Sequence, residues 1–172
     1  MFGFIGYIIN HDTKREKQIE EKFNFYLKQL NNRGPDYSES KKIIDNDKII
    51  NFGFARLAIQ DLSNNANKIF FNDKYILLFN GEIYNHNELR SKYFVNEKFE
   101  TKTDTEVLFK LLTNYDFKKI TELRGIFSIV FIKLGENKIY CLKDFTGTKP
   151  LYYIQNSEGF FFSSEAWFPY SV

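Results

Sequence analysis

The sequence predicts an α+β domain in which two antiparallel sheets are stacked and helices cover their outer faces. Three observations carry that expectation. Elements legible from apolar periodicity run in the order strand, helix, strands, two helices, strands, an order that suits layered sheets with helices outside. The chain opens on FGFIGYIIN, an apolar, β-branched run that reads as a strand buried on both faces. With 20 Phe and 11 Tyr against few Ala or Val, aromatic packing between layers is expected to fill the core. At 172 residues the chain is one domain, long enough to bury a sizeable core.

After the strand Phe2–Asn10, Asp12 or Thr13 can cap a helix whose apolar positions Ile19, Phe23, Tyr26, Leu27 and Leu30 recur at helical spacing. Arg33, Gly34, Pro35 and Asp36 break that helix, and the loop to Ser40 is polar. Strands follow over residues 41–44 and 49–55, around a tight turn at 45–47. Arg56 opens a largely apolar segment, RLAIQDL, where its plain reading is a surface arginine whose stem covers core. A polar loop, SNNAN, leads to strands at 69–71 and 74–79.

The second of these strands is expected to stop at Asn80-Gly81, in the stretch NGEIYNHN. Asn-Gly after a strand is ordinarily a hairpin turn. Here the amide of Asn80 and the backbone N–H of Gly81 can also point together into a site and hold a developing oxyanion. Asn85 followed by Glu88 reads as a capping box for a helix over 85–93. Thr103 or Asp104 stands at the entry of a helix over 105–114, a cap first and a ligand-binding carboxylate second. A helical piece at 117–123 precedes paired strands over 125–134 and 138–144, joined by a Gly-Glu-Asn turn. Strands at 150–154 and 160–163 close the domain as a last hairpin.

Composition excludes several function classes. Net charge is +2 with acids and bases interspersed, so there is no electrostatic footprint for nucleic acid or an anionic membrane. No apolar run reaches membrane-spanning length, and the first dozen residues lack the basic flank and cleavage site of a signal peptide. The single cysteine, Cys141, rules out an intramolecular disulfide and fits a reducing compartment, so a cytoplasmic protein is expected. His11 and His86 have no partners at metal-ligand spacing, and no glycine-rich phosphate loop is present, so neither metal nor cofactor is expected. Asp61, Asp116 and Asp144 fit turns and caps, and Tyr84 could line a pocket mouth, although an aromatic after Gly-Glu is more often simply core.

RGPD, the Arg56 segment, NGEIYNH, TKTDTEV and KDFTGTKPLYY, taken in this order, resemble the class II glutamine amidotransferase domain of asparagine synthetases. The resemblance covers residues 1–165, leaving 166–172 as a short tail, and implies an αββα sandwich of the N-terminal-nucleophile hydrolase type. It implies that Arg56 binds the α-carboxylate of L-glutamine by a forked ion pair. Asp104, with Glu82, would hold the α-ammonium, and Asn80 with Gly81 would form the oxyanion hole. The family's nucleophile is a cysteine directly after the initiator Met, with its own free α-amine as base.

Two departures from the family pattern are expected to matter. The nucleophile position is Phe2, and a phenyl ring has no lone pair to attack a carbonyl. Losing the nucleophile of a comparable acyl-transfer enzyme costs about 10⁶-fold. Met1 should stay in place, because Met is removed efficiently only before small residues, and Cys141 in a late strand cannot substitute. If the Phe2 ring occupies the cleft, glutamine binds more weakly than millimolar, with less than about 4 kcal/mol. A smaller change is Lys143-Asp144 where the family has Arg-Asp, at which a structural cation can survive as Lys. Beyond Ser163-Ser164-Glu165 the family continues into an ATP-dependent synthetase domain, whereas this chain ends in AWFPYSV.

Three readings stand at this point. One is a domain that has lost glutamine hydrolysis and acts as a binding or assembly module for L-glutamine or an analogue. Another is an active glutamine-hydrolysing subunit that supplies ammonia to a separate ATP-dependent synthetase chain. The third is a truncated, non-functional remnant of an asparagine synthetase.

Overall fold

The apolar opening run forms strand β1 (Phe2–Asn10), and every residue from Gly3 to Ile9 is buried. The structure is a computed structural model that describes residues 2–58, 67–115 and 117–172, with the backbone alone at Phe2. Helix α1 (Glu16–Leu30) follows, then β2 (Tyr37–Asp45) and β3 (Lys48–Arg56). Next come β4 (Phe70–Phe71), β5 (Tyr75–Ile83), α2 (His86–Tyr93) and α3 (Asp104–Asn114). A 3₁₀ turn at Phe117–Glu122 leads into β6 (Gly125–Lys133), β7 (Lys138–Lys143), β8 (Tyr152–Gln155) and β9 (Gly159–Ser163). Among the described residues the strands form two antiparallel sheets, ordered β2-β3-β1-β9-β8 and β4-β5-β6-β7.

Side-chain alternation explains why the sheets stack. Along β1, Phe4 and Ile8 face the second sheet, while Ile5, Tyr7 and Ile9 face α1, where Ile19, Phe23 and Leu30 cover them. Along β5, Ile76 and Leu78 face the first sheet, while Leu77, Phe79 and Ile83 pack with Leu89 of α2 and Val107, Leu108 and Leu111 of α3. The result is helix, sheet, sheet, helix: the αββα sandwich. Aromatic rings fill its layers as the composition implies, with Tyr7 edge-on to Phe23 at 5.5 Å and Phe4 6.4 Å from Phe162.

Four local expectations are corrected. Strand β5 does not stop at Asn80-Gly81 but runs on to Ile83, with Asn80 opposite Ser128 and Gly81 opposite Phe127. Gly81 is required there because a Cβ would sit 2.1 Å from the Ile126 carbonyl oxygen and 2.6 Å from Phe127 Cα. Strand β2 begins at Tyr37, earlier than hydropathy suggests, because it is a mostly polar edge strand held by its backbone pairing to β3. Helix α1 has Arg15 at its N-cap with no side-chain capping bond, and the Glu16 N–H goes instead to the Thr13 carbonyl at 3.1 Å.

The capping box also lies elsewhere. Asn85 uses both ends of its amide on a neighbouring segment, donating to the Glu122 carbonyl at 2.9 Å and accepting the Arg124 N–H at 2.9 Å. It is Thr103 that caps a helix with its side chain, accepting the Glu106 N–H at 3.3 Å. Glu106 reaches further back than a box requires, accepting the Glu100 and Thr101 N–H groups at 3.0 and 2.7 Å and the Thr101 hydroxyl at 2.7 Å.

Candidate functional site

Arg56 is the last residue of β3 and is only 3% exposed, so the surface reading of it is set aside. The RGPD loop explains how its backbone is held. Gly34 lies directly on the Ala55–Arg56 peptide, where a Cβ would be 2.5 Å from the Ala55 carbonyl carbon and the Arg56 nitrogen. Pro35 bridges to Arg56, the Asp36 N–H donates to the Arg56 carbonyl at 3.1 Å, and an Asp36 carboxylate oxygen accepts the Ala58 N–H at 2.7 Å. The guanidinium donates from Nη1 to Oδ1 of Asn67. Of the RLAIQDL segment, residues 59–62 lie outside the described residues, as do Met1 and Asp116.

On the facing sheet, Asn80 is fully buried and shares the inter-sheet side of β5 with Ile76 and Leu78 by alternation. The direction of the Gly81 N–H follows from its partner strand. Phe127 directs both backbone groups away from β5, its N–H to Asp144 at 3.0 Å and its carbonyl to the Asp144 N–H at 2.9 Å. Gly81 opposite Phe127 is therefore a non-hydrogen-bonded pair, and the Gly81 N–H points off the outer edge of β5. Ile83, two residues on, points its N–H the same way, and there it meets Asp104 Oδ2 at 2.8 Å.

Asp104 opens α3 and is 3% exposed. Burial raises its carboxyl above the ordinary range, opposed by the Ile83 N–H, His86 and Thr105. A crevice between the sheets and α3 is lined by Arg56, Lys68, Phe79, Thr103 and Thr105 among others. Among the sequence candidates Arg56 alone lines it; Asp104 lies between two lining residues, and Asn80, Gly81 and Glu82 continue the strand from Phe79. Glu82 is half-buried opposite Ile126.

The start of β1 is fastened from two sides. Ser164 Oγ accepts the Phe4 N–H at 2.9 Å, and the Phe4 carbonyl accepts the Ser164 N–H at 2.8 Å and the Ser163 hydroxyl at 3.1 Å. Arg33 pairs with Glu165, and its Cδ would be 3.4 Å from a Cβ at Gly3, so the RGPD and SSE motifs meet beside the chain's first strand. In the KDFTGTKP motif, Asp144 closes its own loop. Burial works against its charge, but bonds from the Thr146 hydroxyl and the Phe127, Thr148 and Thr146 N–H groups bring its carboxyl down to about 2. Burial pushes the Cys141 thiol up to about 11, which fits an inert strand residue.

Sequence reasoning missed Asn67, Glu106 and Ser164. Glu106 is readable from the Thr103-x-x-Glu106 spacing and Ser164 stands in the Ser163-Ser164-Glu165 motif with no role assigned to it, whereas Asn67 carries no local signal. Among the described residues no group of three or more His, Cys, Asp or Glu could hold a metal, and no helix is long and apolar enough to cross a membrane.

The family model of the glutamine amidotransferase domain matches residues 1–167. The chain belongs to that family. This amidotransferase domain is 33% identical over 167 residues to glutamine-hydrolyzing asparagine synthetase 1 of Bacillus subtilis, covering 96% of this chain and 26% of the relative. It is 37% identical over 153 residues to glutamine-hydrolyzing asparagine synthetase 1 of Arabidopsis thaliana, covering 88% of this chain and 24% of the relative. The chain thus spans about a quarter of the length of these curated relatives. Its backbone is similar to that of glutamine phosphoribosylpyrophosphate amidotransferase from B. subtilis complexed with ADP and GMP, with a TM-score of 0.67. That match has 19% identity and covers 95% of this chain and 42% of the other, a likeness of fold. The class II amidotransferase fold and the asparagine-synthetase likeness expected from the motifs are thereby both established.

Proposed function

We propose that this is an asparagine-synthetase-like amidotransferase domain that keeps the recognition of an α-amino acid and has lost glutamine hydrolysis, a pseudoenzyme acting as a binding or assembly module. One observation carries the reading: the β1–β3 register pairs Phe2 with Arg56, so the residue that stands in the nucleophile's position is the cross-strand partner of the candidate carboxylate binder. The Phe2 side chain lies outside the described residues, so the chemistry is argued from its identity. A phenyl ring offers neither a nucleophile nor a hydrogen-bond partner, whereas catalysis through an acyl-enzyme needs both a lone pair and an adjacent base.

In this reading Arg56 binds the α-carboxylate of L-glutamine or an analogue through a forked, charge-assisted contact. Asp104 and Glu82 hold the α-ammonium. The Asn80 side-chain amide N–H and the outward Gly81 N–H donate to the side-chain amide oxygen, which in an active relative would develop negative charge. The assembly partner is an ATP-dependent synthetase unit, and the setting is the cytoplasm. Calorimetric titration of L-glutamine into the natural chain and into Phe2→Gly tests the retained pocket. We expect Phe2→Gly to bind at least about tenfold more tightly, the natural chain being weaker than about 1 mM. Equal or tighter binding by the natural chain would mean that the ring is not in the cleft.

A further inference from the structure

We infer that Asn67 is a positioning residue of this site, holding the Arg56 guanidinium in the orientation that a carboxylate needs. The inference rests on the glutamine-site reading above and extends it. A forked contact requires a guanidinium fixed in advance, because an arginine that must first be ordered loses rotamer freedom on binding. The RGPD loop holds the Arg56 backbone. At the end of the side chain, Asn67 Oδ1 accepts from Arg56 Nη1.

The segment that carries Asn67 is itself tied to the approach to α3. Its neighbour Lys68 pairs with Glu100, and the Lys68 ammonium stands 5.2 Å from the centre of the Phe70 ring. The Glu100 N–H donates to Glu106 at 3.0 Å, and Glu106 is bound through its own N–H to Thr103, the residue that caps α3 immediately before Asp104. A continuous set of contacts therefore joins the cation that would take an α-carboxylate to the acid that would take an α-ammonium. Lys68, Ile69 and Phe70 line the crevice together with Arg56, Thr103 and Thr105. This set of contacts holds the separation of the two charges, and so favours free α-amino acids over ligands that carry only one of them.

Two measurements test this on the full chain. The first is the ¹⁵N NMR signal of the Arg56 guanidinium, which needs no ligand. Asn67→Ala should speed its hydrogen exchange about tenfold, while Asn72→Ala, which removes only a local turn contact, should leave it alone. The second is calorimetry in the Phe2→Gly background with L-glutamine and with its α-carboxamide, in which the carboxylate is neutralised. Asn67→Ala should weaken L-glutamine about tenfold and leave the carboxamide unchanged. An unaltered guanidinium signal overturns the inference, as does an equal loss for both ligands, which would mark a general structural effect. If the guanidinium signal changes but no amino acid binds to any Phe2→Gly chain, the glutamine-site reading fails. Asn67 is then a tether without a positioning role.

Discussion

Asp104 Oδ2 accepts the Ile83 backbone N–H at 2.8 Å, fastening the first residue of α3 to the last residue of β5. Because Gly81 and Ile83 present their N–H groups on the same edge of that strand, this bond sets the candidate ammonium-binding acid beside the candidate oxyanion donors. One buried contact thus joins a helix entrance to a strand end among the candidate residues.

That contact makes Asp104→Ala costly. It leaves the Ile83 N–H without its acceptor, and we expect a loss of about 1–3 kcal/mol in urea unfolding. Asp104→Asn keeps an acceptor and removes the buried charge. Since burial raises the Asp104 carboxyl, the natural chain's stability relative to Asp104→Asn is full below the ordinary value of 3.8 and declines as pH rises through the raised value. A difference that grows with pH would contradict this assignment.

Asp144 should behave in the opposite sense. Its carboxyl is held at about 2 against an ordinary 3.8, so its contribution is present above 3.8 and is lost as pH falls towards 2. We expect Asp144→Asn to cost about 2 kcal/mol at neutral pH and almost nothing near pH 2. Thermal unfolding across that range checks both limits.

Gly81→Ala should damage the fold itself. The added Cβ meets backbone atoms of Ile126 and Phe127, which cannot swing aside as a flexible side chain would. A loss of about 3 kcal/mol or more is expected. A variant with unchanged melting temperature would place this strand pair elsewhere.

Ser164→Ala removes the hydroxyl that accepts the buried Phe4 N–H. The expected cost is about 1–3 kcal/mol, with faster hydrogen exchange concentrated at Phe4. Exchange that rises equally along β1 would mean that the sheet, and not the Ser164 clamp, holds this end of the strand.

Much of the architecture was legible because most elements announce themselves by apolar period. Strand β1 buries its apolar run, and helix α1 buries Ile19, Phe23 and Leu30 with Tyr26 and Leu27 partly buried beside them. Strand β2 did not, because its Ser, Glu and Lys side chains sit at a sheet edge and its place is fixed by backbone bonds. The end of β5 was hidden for a related reason: Asn80, Gly81 and Glu82 are polar or small residues continuing a strand, and turn chemistry reads them as a stop. Of the candidate site residues, Arg56, Asn80 and Asp104 are nominated only by the order of motifs, since each alone has a common structural reading. Asn67 gave no signal at all, because its bond to Arg56 depends on where a polar loop returns in space.

The central claim is that this fold keeps its amino-acid site and lacks its nucleophile. The direct test is ammonia and glutamate release from L-glutamine, measured side by side on the purified chain and on Phe2→Cys with its N-terminus verified by mass. The account predicts no release above background from the natural chain and turnover from Phe2→Cys once Met1 is removed. Turnover by the natural chain would contradict it.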